Sequence, residues 1–215
     1  MKVAIWFDPA CPWCWRTSRW LLAVAPSRDL DISWRSISLL EKNGGADKVP
    51  QDFRASVQAT HRMLRVIERL RALDGGGDEA VERFYTEAGA QIHHDGVPAP
   101  DVDLAAVLVA LGHDPALASA ADDEAIDDVI RESMAEALRL AGSDVGTPIG
   151  RIGDGALFGP VLEPVPSGDE ALRVFDAVAV LASASGFWEL KRSRSGPPTT
   201  LPPRPATALA PSSRR

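Results

Sequence analysis

At 215 residues, with 45% hydrophobic and 25% charged side chains, the chain has the length and composition of one large soluble domain or of a domain with a sizeable insertion. No apolar run approaches the ~18 residues that a membrane helix needs, and a net charge of −7 argues against nucleic acid as the main partner. Lys2 leads straight into an apolar run and the cysteines begin at position 11, which leaves no room for a secretory leader and predicts a cytoplasmic protein with its thiols mostly reduced.

Val3-Ala4-Ile5-Trp6-Phe7 reads as a buried strand, and Trp15 to Ala25 as a helix ending before Pro26. Between them stand the only two cysteines of the chain, in Cys11-Pro12-Trp13-Cys14. One helical turn brings sulfurs at this spacing within bonding reach. Pro12 suits a first helical position, where a missing N–H costs nothing. A thiol at a helix N-terminus faces unpaired N–H groups and the positive end of the dipole, which favours its thiolate. Cys11 is therefore the candidate nucleophile and Cys14 its resolving partner. A zinc site needs about four ligands, and His61, His93, His94 and His113 form no His-x3–5-His array beside the pair. A structural disulfide over so short a loop would constrain the unfolded chain little. Redox chemistry is the better reading.

Asp31 to Leu39 reads as a second strand, after which the β pattern stops. Helical spacing follows over Asp52 to Leu73, from Val81 to Ile92, and over Asp103 to Leu111, with Gly75-Gly76-Gly77 as a break. Asp114-Pro115 is read as the cap of a long amphipathic helix that ends at Gly142. Ile149 to Ile152 and Ala156 to Phe158 flank Gly153-Asp154-Gly155 as a hairpin, and Ser167 with Glu170 predicts a capping box for a last helix. The order βαβ, helices, ββα predicts an α/β thioredoxin fold with an all-helical insertion. Its parts are a discontinuous thioredoxin-like domain over 1–42 and 145–190, a helical lid over 43–144, and a basic Pro-rich tail over 191–215. The tail carries Lys191, Arg192, Arg194, Arg204, Arg214 and Arg215 with no acid, and reads as passive and mostly disordered. Trp15, Trp20 and Trp34 read as core, Asp8 as a strand-end turn residue, His93 as a structural histidine, and His61, His94 and His113 as surface or capping residues.

With motif and order in hand, the chain resembles the DsbA-like branch of the thioredoxin superfamily and, more closely, the actinobacterial mycothiol-dependent nitroreductase family. The matching stretches are Phe7-Asp8-Pro9 with Cys11-Pro12-Trp13-Cys14-Trp15, then Thr17-Ser18-Arg19-Trp20, Ile92-His93, Val145-Gly146-Thr147-Pro148, Phe158-Gly159-Pro160-Val161 and Glu189-Leu190-Lys191-Arg192. The resemblance implies an enzyme recharged by mycothiol, with no metal, that reduces disulfides and nitro compounds beneath a helical lid. It implies that Cys11 attacks and Cys14 resolves, that Pro12 and Trp13 line the substrate pocket, and that Thr147 and the cis-proline Pro148 pair with a bound thiol. Asn43 falls where the family carries a pocket asparagine, and Phe53 where its best-matching members carry a lid tyrosine. His61-Arg62-Met63 and Ile149-Gly150-Arg151 also depart from the family pattern and bear on substrate choice. The implied partners are a small-molecule thiol and an electrophilic substrate, with a thioredoxin or mycoredoxin as another reductant. A thiol transferase or isomerase of the related kappa-type glutathione transferase group is the alternative, which retention of both cysteines disfavours. A zinc-binding scaffold module is a third reading, disfavoured by the ligand count.

Overall fold

The computed structural model describes residues 1–194, 196, 198–202 and 204. A four-stranded sheet runs in the order β2-β1-β3-β4, built from β1 (Lys2–Phe7), β2 (Asp31–Ser36), β3 (Ile149–Ile152) and β4 (Gly155–Phe158). β1 pairs parallel with β2 through Ile5↔Trp34, and antiparallel with β3 through Ile5↔Gly150. Among the described residues seven α-helices complete the order: α1 (Pro12–Arg28), α2 (Leu39–Lys42), α3 (Gln51–Arg71), α4 (Asp78–His93), α5 (Leu104–Ala110), α6 (Asp127–Ala141) and α7 (Gly168–Ser183). All helices between α2 and α6 fall between the two halves of the sheet.

The central strand is apolar from Val3 to Phe7 because both of its faces are covered there. Successive side chains of a strand point to opposite faces. Val3, Ile5 and Phe7 join the large core with α1, α3, α4 and α7, whereas Trp6 joins Ile37, Ala137 and Ile149 in a second cluster under α6. Each side is pinned by an indole: Trp20 Nε1 donates to the Ala171 carbonyl of α7 at 3.1 Å, and Trp6 Nε1 to the Ser133 carbonyl of α6 at 2.9 Å. Trp15, Trp20 and Trp34 are all core.

Glycines permit two close approaches. A Cβ on Gly89 of α4 would lie 2.4 Å from the Trp15 ring, so this helix presses its backbone onto the indole. At Gly150 of β3 a Cβ would lie 3.0 Å from the Gly159 carbonyl oxygen, which accounts for an otherwise odd residue in a central strand.

Three local expectations are corrected. Asp114-Pro115 opens a 3-10 stretch over Pro115–Asp122, and the long helix α6 starts later, at Asp127. The Pro115 ring and the Asp114 side chain, which accepts from Ala116, favour a tight turn there without committing the chain to an α-helix. Ser167 is the N-cap residue of α7 but makes no side-chain cap bond, so the capping box does not form. The tail does not diverge wholly from the body: Leu201 packs against the large core and Arg204 bonds to acids of α4 and its C-terminal end. Positions 205–215 lie outside the described residues.

Candidate active site

The redox turn is held from below by Asp8, which follows the last residue of β1. Its carboxylate is fully buried and accepts from Ala10 N at 2.8 Å and from Leu39 N at 2.7 Å, while its carbonyl accepts from Cys11 N at 2.9 Å. Asp8 thus ties the cysteine turn to the start of α2. Burial pushes its carboxyl pKa up, against the lowering effect of those two N–H donors.

Cys11 is the N-cap of α1, with Pro12 in the first turn. Its Sγ receives the backbone N–H of Cys14 at 3.4 Å and the hydroxyl of Thr147 at 3.3 Å, and lies 3.8 Å from the Thr147 carbonyl. Donation from the Cys14 thiol holds the Cys11 pKa below the ordinary thiol value, aided by Thr147 and the helix N–H groups and opposed by burial. Cys14 is the reverse case. It is sealed in the core, and burial first, then its bond to Cys11, push its thiol well up. Both cysteines are free, with Cys11 5% exposed and Cys14 0%. One thiol is activated and slightly exposed, and the other is held protonated behind it.

The Thr147–Pro148 peptide is cis. It precedes β3, which places Thr147 over the first turn of α1. Trp13 is half-buried beside the cysteines, between the Arg16 guanidinium at 5.7 Å and that of Arg194 at 5.0 Å from its ring centre. The structure therefore brings Cys11, Pro12, Trp13, Cys14, Thr147 and Pro148 together. Asn43 and Phe53 stand apart. Asn43 is exposed at the end of α2 and folds its amide onto the Leu39 carbonyl at 2.6 Å, while Phe53 is 61% exposed in the first turn of α3. Neither has a hydrogen bond or ring contact to the cysteines or Trp13 among the described residues.

His93 stacks on Trp15 and its Nε2 lies 2.9 Å from the Pro9 carbonyl, which fixes the proton on Nε2. Burial lowers its pKa to about 4, so it is a neutral strut that docks α4 on the redox turn. His61 corrects the surface reading. It is 4% exposed, its Nδ1 meets Ser38 Oγ at 2.9 Å, and its Nε2 meets Asp127 at 3.0 Å, linking the second strand's end to α6. Glu41, His61 and Asp127 are near enough to share a cation, but Arg65 grips Asp127 at 2.6 and 2.8 Å and Arg131 lies against both acids. Guanidinium groups already supply the positive charge that a metal would bring.

Several participants were not singled out in the sequence. Arg16 is a 2% exposed cation on α1, paired with Glu163 at 3.3 Å and donating to the Thr199 carbonyl. Arg19 lies 4.1 Å over Trp15, and burial lowers its pKa to about 10. The signal was present as two arginines on the apolar helix that carries the cysteines, but their partners come from distant segments.

With this geometry in hand, the sequence model of the family described as mycothiol-dependent nitroreductase Rv2466c matches residues 10–192. The chain belongs to this Rv2466c-like family. It is a thiol-dependent enzyme of the oxidoreductase class. A curated relative, the uncharacterized protein Rv2286c of Mycobacterium tuberculosis, is 29% identical over 191 residues, covering 88% of this chain and 80% of that protein. Among solved structures, a 2-hydroxychromene-2-carboxylate isomerase is similar with a TM-score of 0.60 at 18% identity, covering 84% of this chain and 94% of that one. The cytosolic disulfide reductase DsbM of Pseudomonas aeruginosa follows with a TM-score of 0.52 at 18% identity, covering 85% of this chain and 100% of that one. The fold of the Rv2466c-like chain is accordingly the α/β thioredoxin fold with helices inserted, as in DsbA-like proteins. Among the described residues no helix is long and apolar enough to cross a membrane.

Proposed function

We propose that this Rv2466c-like chain is a cytoplasmic thiol–disulfide oxidoreductase that reduces disulfides, and nitro compounds where the pocket admits them, with mycothiol as the reductant. The carrying observation is the asymmetry of the pair: a depressed, slightly exposed thiol against Thr147 and a raised one sealed behind it.

The Cys11 thiolate attacks one sulfur of a substrate disulfide, and the other sulfur leaves as a thiol after taking a proton. Cys14 then gives up its proton and attacks Cys11, which closes the Cys11–Cys14 bond and releases the second thiol. The substrate gains two electrons and the pair loses two. Thr147 and the N–H of Cys14 hold the Cys11 sulfur as an anion both when it attacks and when it is displaced again. Trp13 offers a flat apolar wall to an aromatic substrate.

Mycothiol supplies thiols that reopen the bridge. A small thiol suits this site, because Cys11 is only slightly exposed and Cys14 is the fully buried leaving group. Retention of both cysteines disfavours a thiol transferase or isomerase, which needs one nucleophile. Turnover of a disulfide and of a nitroaromatic with mycothiol, glutathione or a thioredoxin as reductant tests the reading. Mycothiol-dependent disulfide turnover is expected, and its absence with every reductant would overturn the proposal.

A further inference from the structure

The segment after α7 returns to the redox turn. Arg194 lies over Trp13 at 5.0 Å. Thr199 gives its carbonyl and its hydroxyl oxygen to the Arg16 guanidinium, and its own N–H and O–H are directed at Glu163. Leu201 packs on the core, and the Pro202 carbonyl lies 2.7 Å from His94 Nδ1. Arg204 ends the run, bound to Asp95 at 2.6 and 2.9 Å and to Glu87 at 2.8 Å. These contacts carry the segment from α1 and the loop after β4 to the end of α4. It crosses the seam between the cysteine turn and the inserted helices.

We propose that the described residues 194, 196, 198–202 and 204 form a strap that covers the flank of the redox turn at Trp13 and Arg16, and must lift before a bulky partner reaches Cys11. The inference rests on the reading of Cys11 as the nucleophile and adds a regulation of that site. Two features make the strap a gate and not a wall. Its described residues belong to no helix or strand, and Pro198 and Pro202 have no backbone N–H to donate, so side-chain pairs, the Thr199 N–H and carbonyl acceptors hold it. Its far pin is a cluster of ion pairs near the surface, which contribute little each and are screened by salt. A small thiol passes beside the strap to the reachable sulfur, whereas a protein or large conjugate needs the flank that Arg194 and Thr199 occupy. The strap therefore selects by size and opens with ionic strength.

The test compares four reduced proteins at fixed pH. These are the full chain, the chain truncated after Arg192, Arg204→Glu, and Arg204→Glu combined with Glu87→Arg and Asp95→Arg. For each, the rate of Cys11 labelling by a polymer-linked maleimide is divided by that by iodoacetamide, which cancels changes in thiolate fraction. The ratio is expected to rise about ten-fold in the truncated chain and in Arg204→Glu, because reactivity scales with the open fraction. It is expected to return towards that of the full chain when the charges are swapped. An unchanged ratio in both opened variants would overturn the strap. If iodoacetamide fails to label Cys11 in any form, the nucleophile reading fails, and trypsin then decides the strap separately. Cleavage between Arg194 and Ser195 should be faster in Arg204→Glu and slower again in the swapped protein, and equal cleavage would overturn it.

Discussion

Thr147 Oγ1 donates a hydrogen bond of 3.3 Å to Cys11 Sγ across 136 residues of sequence, and this bond joins the two halves of the sheet at the reactive sulfur. The residue that helps to stabilise the thiolate is also the one that the resemblance implies lies beside a bound thiol. Removing the hydroxyl while keeping the shape separates these roles. Thr147→Val should raise the Cys11 pKa by about one unit, since one donor to a charged acceptor is worth roughly 1.5 kcal/mol. The alkylation rate of Cys11 against pH measures it. The midpoint should move to higher pH while the rate at the alkaline plateau does not fall, and an unmoved midpoint would remove Thr147 from the activation of the thiol.

His93 predicts an acid sensitivity. Its pKa is about 4 in the folded protein against an ordinary value of 6.5, so the unfolded chain takes up a proton first as the pH drops. The contribution of His93 to stability is complete above 6.5 and is lost as the pH falls towards about 4. His93→Gln, which keeps a donor for the Pro9 carbonyl, should flatten the loss of stability across that window. Urea midpoints at several pH values check this, and an identical slope in both proteins would show that His93 does not titrate there.

Gly89 gives a packing prediction. Alanine at an ordinary helix position would gain about 1 kcal/mol over glycine. Here a Cβ would meet the Trp15 ring at 2.4 Å, and ring and helix are both held in the core. Gly89→Ala should therefore destabilise by about 2 kcal/mol. Denaturant unfolding measures it, and a stabilised variant would mean that α4 does not rest on the indole.

Asp127 is the hub beneath the insert, 6% exposed and shared by Arg65 and His61. Its donation from Arg65 holds the carboxyl below the usual range, so its contribution is present above the ordinary carboxylate pKa and is lost as the pH falls through the lowered one. Asp127→Asn leaves the guanidinium without its bidentate acceptor and should cost about 3 kcal/mol. A loss below about 1 kcal/mol in urea unfolding would mark the pair as a surface-like contact.

The sequence made the sheet and the cysteine turn legible because both depend on local pattern. An apolar run, C-x-x-C with proline in the first turn, and Gly-Asp-Gly between two short strands each carry their own physical cause. The insert was legible as helices, yet Asp114-Pro115 misplaced the start of α6, because one side-chain cap bond closes a 3-10 turn as readily as an α-helix. His61 and Asp127 were invisible as a pair, since 66 residues and two helices separate them and only packing brings them together. The described part of the tail, up to Arg204, was misread for a related reason. Proline and basic composition report low intrinsic order, whereas Arg204, Thr199 and Arg194 find partners that composition does not contain.

The resemblance implies a pocket role for Phe53, although the structure leaves it exposed and apart from the cysteines and Trp13. It presents a 61% exposed ring on the first turn of α3, where the hydroxyl of a tyrosine would be absent. Phe53→Tyr is expected to raise nitroaromatic reduction and to leave disulfide reduction unchanged, since exchange at Cys11 uses the thiolate and Thr147. Equal effects on both substrates, read from kcat/KM, would place specificity elsewhere.

The most direct test of the central claim is the fate of Cys11 and Cys14 in the separate serine variants, followed by mass spectrometry with a disulfide substrate. Cys14→Ser should accumulate a covalent adduct on Cys11 and lose the two-cysteine turnover, because the resolving thiol is gone. Cys11→Ser should form no adduct and show no turnover, because Cys14 is sealed in the core and its thiol is raised by burial. An adduct on Cys14, or full turnover by Cys11→Ser, would contradict the assignment of Cys11 as the attacking sulfur.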